Sequence, residues 1–362
     1  MKIVFIITDI TNCAGTERVV TGVANYLASL SYDVSIVSLS SKQGKAYFPL
    51  NDKIKISHLN SYAYVNKGLL SRIWGRISSV YKFYTTMRNV QADIYIGTSV
   101  NTNVLSLLFC PTNKVIGCEH FSAIAPMNPI LRKFRNLIYK KLARLIVLTK
   151  HAHDYYTQLG VKVEVIPNSV AFKNSSDLSV KSKIALAVGR HSQEKGFDRL
   201  LSIWKEVEKV RTDWELLIIG EGDLYEYNQN VAKTLGLKTV RFLPFQKNVQ
   251  PYYQRASLYL MTSLYESLPM VLIEAKMCGC VCVSYNCKTG PAEIIKNEED
   301  GCLIPEGNLN LFVEKVLNLM DDQVMMERMG AKAMINAEDY SPDRILPKWE
   351  TLVKDVYKNS RK

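Results

Sequence analysis

The sequence predicts an α/β protein made of two consecutive halves, each wound around its own parallel sheet, and three observations carry that expectation. Short apolar runs alternate with amphipathic stretches from end to end, the pattern of parallel strands joined by right-handed helical crossovers. The alternation breaks once, in a polar stretch from Pro167-Asn168 to about Ser182, and then restarts. At 362 residues, 47% hydrophobic and 22% charged, the chain has globular composition and enough length for two domains, which excludes disorder and fibrous repeats.

In the first half, strands are expected over residues 3–8, 33–39, 54–59, 94–98, 114–118, 145–148 and 162–166, with helices that include 16–30 and about 69–89. In the second half, strands are expected over 184–189, 214–220, 240–243, 257–261 and 281–284, with helices in the intervals. Residues 345–357 have a helical pattern and follow Ser341-Pro342, a good start signal. The expected organisation is a first domain over 1–166, a linker over 167–182, a second domain over 183–344, and a C-terminal helix over 345–362 that returns to the first domain. Two such halves facing each other would form a cleft at the carboxyl ends of their strands, where α/β folds bind ligands.

Charge is segregated along the chain. Residues 1–180 carry 21 Lys and Arg against 9 Asp and Glu, and residues 181–362 carry 25 of each, so the whole excess of +12 lies in the first half. A two-domain enzyme with one domain facing an anionic membrane would divide its charge this way, and a uniform coat for nucleic acid would not. A generally solvated basic face is the plainer alternative. Residues 69–89 set Arg72, Arg76, Lys82 and Arg88 among Trp74, Tyr81, Phe83 and Tyr84. Residues 129–144 interleave Arg132, Lys133, Arg135, Lys140, Lys141 and Arg144 with Leu131, Phe134, Leu137 and Ile138. Such basic amphipathic stretches suit anionic headgroups. No apolar run approaches the ~20 residues that span a bilayer, and residues 2–7 read as a buried strand rather than a leader. A cytoplasmic protein, peripheral on the inner face of the membrane, is therefore expected.

Eight cysteines include Cys278, Cys280 and Cys282, but none forms a C-x-x-C pair of zinc-ribbon spacing. Cys280 and Cys282 sit in an apolar stretch, where packing is the expected role. His151 and His153 are two apart on a helix and diverge, so no metal site is expected.

Three segments carry chemistry. The first strand is followed by residues 8–18 and a helix, with one glycine, Gly15, where a dinucleotide fingerprint has three. A glycine at a helix start still lets a phosphate approach backbone N–H groups and the positive end of the helix, with a plain tight turn as the alternative. The second half opens on a strand ending at Gly189-Arg190, with Lys195 five residues later and a helix next, so that two cations can clamp a diphosphate. Farther on, Glu266 and Glu274 lie eight apart. If a helix starts near Pro269, Glu266 sits in the loop before it, and the amides of Leu268, Met270 and Val271 form an anion-binding cup. Glu274 then lies in an apolar helix and needs a partner, which ligand hydroxyls would supply.

As a set, Gly15-Thr16-Glu17-Arg18, Glu119-His120, Ile166-Pro167-Asn168, Gly189-Arg190 with Lys195-Gly196-Phe197, Gly220-Glu221-Gly222, Glu266-x7-Glu274 and Gly290-Pro291-Ala292-Glu293-Ile294-Ile295 resemble the retaining glycosyltransferases of family four. The resemblance runs from Met1 to about Tyr357 and is closest to the bacterial enzymes that extend lipid-linked glycans for capsule, O-antigen or N-glycan assembly. It implies the GT-B fold, two facing Rossmann-like domains with a cleft between them. It also implies that Gly15 and Thr16 lie by the donor's β-phosphate, that Arg190 and Lys195 bind its diphosphate, and that Glu274 holds the ribose hydroxyls. Glu266 and the amides of Leu268, Met270 and Val271, around Pro269, would hold the donor sugar, and the chain at Phe245 would contact the nucleobase. His120 would stand near the transferred sugar, which makes His120, Arg190, Lys195 and Glu266 the implied catalytic set. Arg72, Arg76, Arg132, Lys133, Arg135 and Lys140 fall on the acceptor and membrane side. Thr16 stands where many members have Gly, and Cys280 where many have Thr.

The implied reaction moves a hexose or N-acetylhexosamine from a UDP-sugar to a polyprenyl-diphosphate-linked glycan, with no cofactor and no metal. The sequence contains no Asp-x-Asp, and two cations with a helix N-terminus can oppose the charge of the departing diphosphate. No carboxylate plainly serves as a nucleophile, so attack on the face the diphosphate leaves is favoured, the leaving phosphate taking the acceptor's proton. Two other readings compete. A basic membrane- or nucleic-acid-binding protein without catalysis leaves Arg190, Lys195, Glu266 and Glu274 unexplained, and no nucleic-acid motif is present. A nucleotide-sugar epimerase would isomerise the sugar without an acceptor.

Overall fold

The structure, a computed structural model, describes residues 1–39, 44–59, 69–120, 127–170, 172 and 181–362, and over 69–76 it describes the backbone alone. The chain divides into two compact units, Met1–Ser169 with Ile345–Lys362, and Val170–Arg344. Of the expected linker, residues 171 and 173–180 lie outside the described residues.

The first unit contains β1 (Lys2–Ile7), α1 (Gly15–Ser29), β2 (Asp33–Ser38), β3 (Lys55–His58), α2 (Leu69–Asn89), β4 (Ile94–Gly97), α3 (Val100–Phe109), β5 (Val115–Glu119), α4 (Pro129–Tyr139), β6 (Arg144–Val147), α5 (Lys150–Gln158) and β7 (Val163–Val165). The second contains β8 (Ser182–Val188), α6 (Phe197–Glu208), β9 (Glu215–Ile219), α7 (Tyr225–Thr234), β10 (Val240–Leu243), α8 (Gln250–Arg255), β11 (Ala256–Met261), α9 (Met270–Met277), β12 (Val281–Tyr285), α10 (Pro291–Ile294), β13 (Gly301–Ile304), α11 (Leu309–Asp321) and α12 (Gln323–Ala337). The last helix, α13 (Pro342–Ser360), belongs to the first unit from Ile345 onward.

The first sheet has seven parallel strands in the order β3-β2-β1-β4-β5-β6-β7. Its central strands are covered on both faces, which is why they read as continuous apolar runs. On one face, Val20, Val23 and Leu27 of α1 pack with Trp349, Leu352 and Val356 of α13. On the other, Phe83 and Met87 of α2, Leu107 of α3, Tyr139 of α4 and Tyr156 of α5 form a second core. The inward residues of α13 recur at three- and four-residue spacing, the stripe of a helix with one buried face.

The second sheet has six parallel strands in the order β10-β9-β8-β11-β12-β13. Both units are thus doubly wound Rossmann-like layers, the fold class expected. Strand β13 is absent from the sequence-based expectation. Its four residues, Gly-Cys-Leu-Ile, form too short a run to stand out, and pairing along β12 makes them a strand. In each sheet the strand order reverses once, between β1 and β4 and between β8 and β11. Loops leaving the strands at such a reversal diverge, and a crevice opens at the carboxyl edge.

Candidate active site

In the second unit, the loops at the reversal are those after β8 and β11. The first carries Arg190 and Lys195, the second Ser263 and Glu266. Three contacts tie them together. Leu264 N–H donates to the Glu194 carbonyl at 2.8 Å, Thr262 Oγ1 donates to the Gly196 carbonyl at 2.8 Å, and Lys195 Nζ lies 2.7 Å from Glu266 Oε1. Ser263 Oγ donates to the same carboxylate oxygen at 2.8 Å. Both members of the Lys195–Glu266 pair are largely shielded from solvent, so their charges act at close range in a partly dry setting.

A third loop supports the second. Thr289 Oγ1 donates to the Glu266 carbonyl. Gly290 has φ of 99°, and a Cβ there would stand 2.7 Å from Pro269 Cδ and 2.8 Å from the Ser267 carbonyl oxygen, so only glycine lets the two loops close up. The Gly290-Pro291-Ala292-Glu293 segment is therefore the buttress behind Glu266.

Helix α9 begins directly after this loop. Pro269 is its N-cap and offers no side-chain cap, so by helix geometry the N–H groups of Met270 and Val271, just past Leu268, have no acceptor within the helix. The helix is apolar nearly all round and accordingly buried. Glu274, 4% exposed, is held within it: its Oε2 accepts a hydrogen bond from Tyr253 Oη of α8 at 3.1 Å. Tyr253, which the sequence reading passed over, thus supplies part of the partnership expected from ligand hydroxyls. Lys276, equally buried, donates to Asp300 Oδ2 at 2.7 Å.

Arg190 is exposed and pairs with Glu194 at 2.5 Å, on the same loop as Lys195. The turn Gly220-Glu221-Gly222 joins this loop to the segment at Phe245. The Glu221 carbonyl accepts from His191 N–H at 2.8 Å, and its carboxylate accepts from Phe245 N–H at 3.3 Å. Phe245 is 47% exposed. His191 is buried among Phe197, Tyr225 and Phe242, with Nδ1 2.9 Å from Asn228 Nδ2. Burial pushes its pKa down to about 4, so the ring is neutral. Lys195, Glu266, Leu268, Pro269, Met270, Val271 and Glu274 are brought together around one strand reversal. Ser263, Thr289 and Tyr253 are additions; polar residues at strand ends and a tyrosine in a short helix were the signals available.

In the first unit, Gly15 and Thr16 open α1, whose N-cap, Ala14, has no side-chain cap. His120 directly follows β5, and its Nδ1 is buried without a hydrogen-bond partner among the described residues. Burial pushes its pKa down to about 4, so it too is neutral at physiological pH.

The basic stretches divide. Arg72 and Arg76 lie on α2 where the side chains are outside the described residues. On and just after α4, Lys133, Lys140 and Lys141 are exposed and Arg132 is partly so. The sequence reading places Arg135 with them on the membrane side, and the structure corrects this. Arg135 is 3% exposed, bonded to Asn136 Oδ1 at 3.2 and 3.0 Å and stacked 5.3 Å over Tyr156. It shares the inward face with Ile138 and Tyr139, three and four residues on. The thiols of Cys280 and Cys282 are buried, and Cys280 Sγ donates to the Tyr253 carbonyl at 3.0 Å. Among the described residues, no helix is long and apolar enough to cross a membrane.

The sequence matches the family model for Glycosyltransferase Family 4 over residues 14–173 and that for Glycosyl transferases group 1 over residues 170–334. The amylovoran biosynthesis glycosyltransferase AmsD of Erwinia amylovora is 32% identical, over 97% of this chain and 99% of its own length. The chain belongs to the family 4 glycosyltransferases. A Campylobacter jejuni relative of this glycosyltransferase, GalNAc-alpha-(1->4)-GalNAc-alpha-(1->3)-diNAcBac-PP-undecaprenol alpha-1,4-N-acetyl-D-galactosaminyltransferase, is 25% identical over 98% of the chain and 99% of its own. In fold, the glycosyltransferase is similar to Anabaena HepE in complex with UDP and glucose, with a TM-score of 0.78 and 16% identity over 98% of this chain and 100% of that one.

Proposed function

We propose that this glycosyltransferase is a retaining, metal-independent enzyme that moves a hexose or N-acetylhexosamine from a UDP-sugar to a polyprenyl-diphosphate-linked glycan at the cytoplasmic face of a bacterial membrane. One observation carries the reading: the shielded Lys195–Glu266 pair bridges the two loops of the strand reversal, beside the uncapped start of α9. A lysine neutralised by a carboxylate is a poor general anion trap but a good diphosphate site, because the incoming phosphates can take the ammonium while Glu266 turns to sugar hydroxyls. Arg190, on the same loop, adds a planar fork for a second phosphate oxygen.

As the glycosidic bond breaks, negative charge grows on the departing diphosphate. Lys195, Arg190 and the α9 amides stand ready for it and need no metal, each such contact contributing about 2.7–4 kcal/mol at the transition state. Glu274 orders the ribose and Phe245 the base. Gly15 and Thr16 meet the β-phosphate, and His120, a neutral ring, meets the transferred sugar. The acceptor attacks from the face the diphosphate leaves and gives its proton to the leaving phosphate. The choice of UDP is supported by HepE, crystallised with UDP and glucose. That of a lipid-linked acceptor is supported by the Campylobacter relative, named for an undecaprenyl-diphosphate glycan.

The test is transfer from a panel of radiolabelled UDP-sugars to polyprenyl-diphosphate glycans, with the product anomer read by NMR and a parallel reaction in EDTA. One sugar should be transferred with its anomeric configuration kept, equally well in EDTA. Inversion, or loss in EDTA with rescue by one divalent ion, would overturn the mechanism. Isomerisation of the sugar without acceptor would make the protein an epimerase.

A further inference from the structure

The mechanism above leaves one buried polar cluster unused. It lies in the first unit under the carboxyl end of β5 and joins α3 and α4 to the residue before His120. Glu119, the last residue of β5, accepts a hydrogen bond on Oε1 from Tyr139 Oη of α4. Asn103 of α3 donates through Nδ2 to Tyr139 Oη at 3.0 Å and to the Cys118 carbonyl at 3.1 Å. All three side chains are buried. Strand β4 is cut to admit them: a Cβ on Gly97 would stand 2.3 Å from Asn103 Oδ1. From α4, the buried Arg135 adds positive charge beside Glu119.

A carboxylate placed among apolar strands costs stability unless donors converge on it, and an apolar side chain would hold the strand to the helix as well. What the polar version adds is direction. Successive strand residues point to opposite faces, so a Glu119 pinned toward α4 fixes the backbone from which His120 departs. We infer that Glu119 and Tyr139 are positioning residues for His120, holding the end of β5 through the donor chain Asn103 to Tyr139 to Glu119, which is strongest when Glu119 is ionised. The inference rests on the proposed place of His120 beside the transferred sugar.

Burial raises the pKa of Glu119 to about 7, against the Tyr139 hydrogen bond and the Arg135 charge, which lower it. The titratable and charged neighbours are Cys118 on its own strand and His120 just after it, Arg135 and Tyr139 on α4, and Tyr156 on α5. Burial lifts the thiol and both phenols and depresses the imidazole to about 4. Between about pH 5.5 and 8.5 only Glu119 in this group changes charge.

The test compares wild type with Glu119→Gln and Tyr139→Phe, which keep the side-chain shapes. In 15N-histidine NMR of the full chain, with His120 assigned among five histidines by His120→Asn, the His120 ring should stay neutral yet shift with a midpoint near pH 7. The midpoint should vanish in Glu119→Gln and rise in Tyr139→Phe, which lacks the donor that favours the carboxylate. In the transfer assay, kcat should fall about tenfold or more in both variants with UDP affinity unchanged, and Glu119→Gln should lose the acid limb of the profile. His120 resonances and kcat that match wild type in folded variants would overturn the inference. A wild type that binds no nucleotide would instead sink the functional reading, and the NMR titration would still decide whether Glu119 positions His120.

Discussion

On the proposed reading Lys195 serves two partners, Glu266 in the free protein and a diphosphate in the complex, and that exchange makes its removal informative. Lys195→Ala should lower kcat at least about a hundredfold, because the lost contact acts on charge that grows in the transition state. Circular dichroism and the melting temperature should stay near wild type, since neither member of the pair belongs to the hydrophobic core of the second unit. A folded variant with wild-type turnover would remove Lys195 from the mechanism. Glu274→Ala should act differently: the proposed ribose contact would form before reaction, so calorimetry should show a raised Kd for UDP, and unchanged affinity would end that assignment. Glu119 gives a third single-residue test, on stability. Its folded-state pKa, about 7, lies above the ordinary value of 4.5, so the folded state holds the proton more tightly than the unfolded chain. Relative to Glu119→Gln, wild type should lose stability as pH rises through that window, by up to about 3 kcal/mol. Urea melts of both proteins at pH 5 and 8 would show it, and a pH-independent difference would mean that Glu119 is not buried as an acid.

At the scale of elements, α9 is clamped at both ends. Gly290 seats its start against the Glu266 loop, and Lys181 Nζ donates at its finish to the carbonyls of Cys278, Ala256 and Tyr253 at 2.6, 2.9 and 3.2 Å, closing α8 and α9 together. Lys181→Met should remove the charged donor from those carbonyls, of which Tyr253 and Ala256 keep the weaker Cys280 thiol, and cost about 1.5–3 kcal/mol in a urea melt, whereas Gly290→Ala should also cut activity by displacing Glu266. Equal activity in Gly290→Ala and wild type would show that the loop tolerates the shift. Much of this was legible beforehand. The Pro269 start, the spacing of Glu266 and Glu274, and the Arg190 and Lys195 loop could be read because punctuation residues and strand ends mark them locally. Tyr253, Asn103 and Tyr139 could not, since each matters through a contact across many residues of chain. Arg135 stands between these cases: its spacing to Ile138 and Tyr139 already put it on the inward face, but the run of cations around it drew attention outward. β13 failed for want of length, its strand character being supplied by β12.

The charge asymmetry of the whole molecule becomes specific once the first unit's surface is known. Helices α2, α3 and α4 are neighbours on one face of its sheet, and none of the three contains an Asp or Glu. Ile77, Val80, Tyr81 and Tyr84 of α2 recur at helical spacing and face outward, as do Leu108 of α3 and Ile130, Leu131, Phe134 and Leu137 of α4, with Ile130 76% and Leu137 67% exposed. Nine of the eighteen exposed large apolar side chains among the described residues thus sit on three adjacent helices. An apolar stripe left in water costs stability, and a flanking set of cations without counter-charges costs more, unless an anionic, partly apolar surface receives both. On and just after α4, Lys133, Lys140 and Lys141 are exposed and Arg132 is half-buried, so these four can be changed with the buried Arg135 left in place. At about 1 kcal/mol each near an anionic surface, changing these four to Gln should weaken liposome co-sedimentation by about two to three orders of magnitude at low salt, and by less as added salt shortens the Debye length. Phe134→Ser with Leu137→Ser should weaken it too, but with the salt dependence kept, because insertion and attraction are separate contributions. Wild-type binding that ignores both salt and anionic lipid, or identical partitioning of all three proteins, would mean that the stripe serves some surface other than a bilayer.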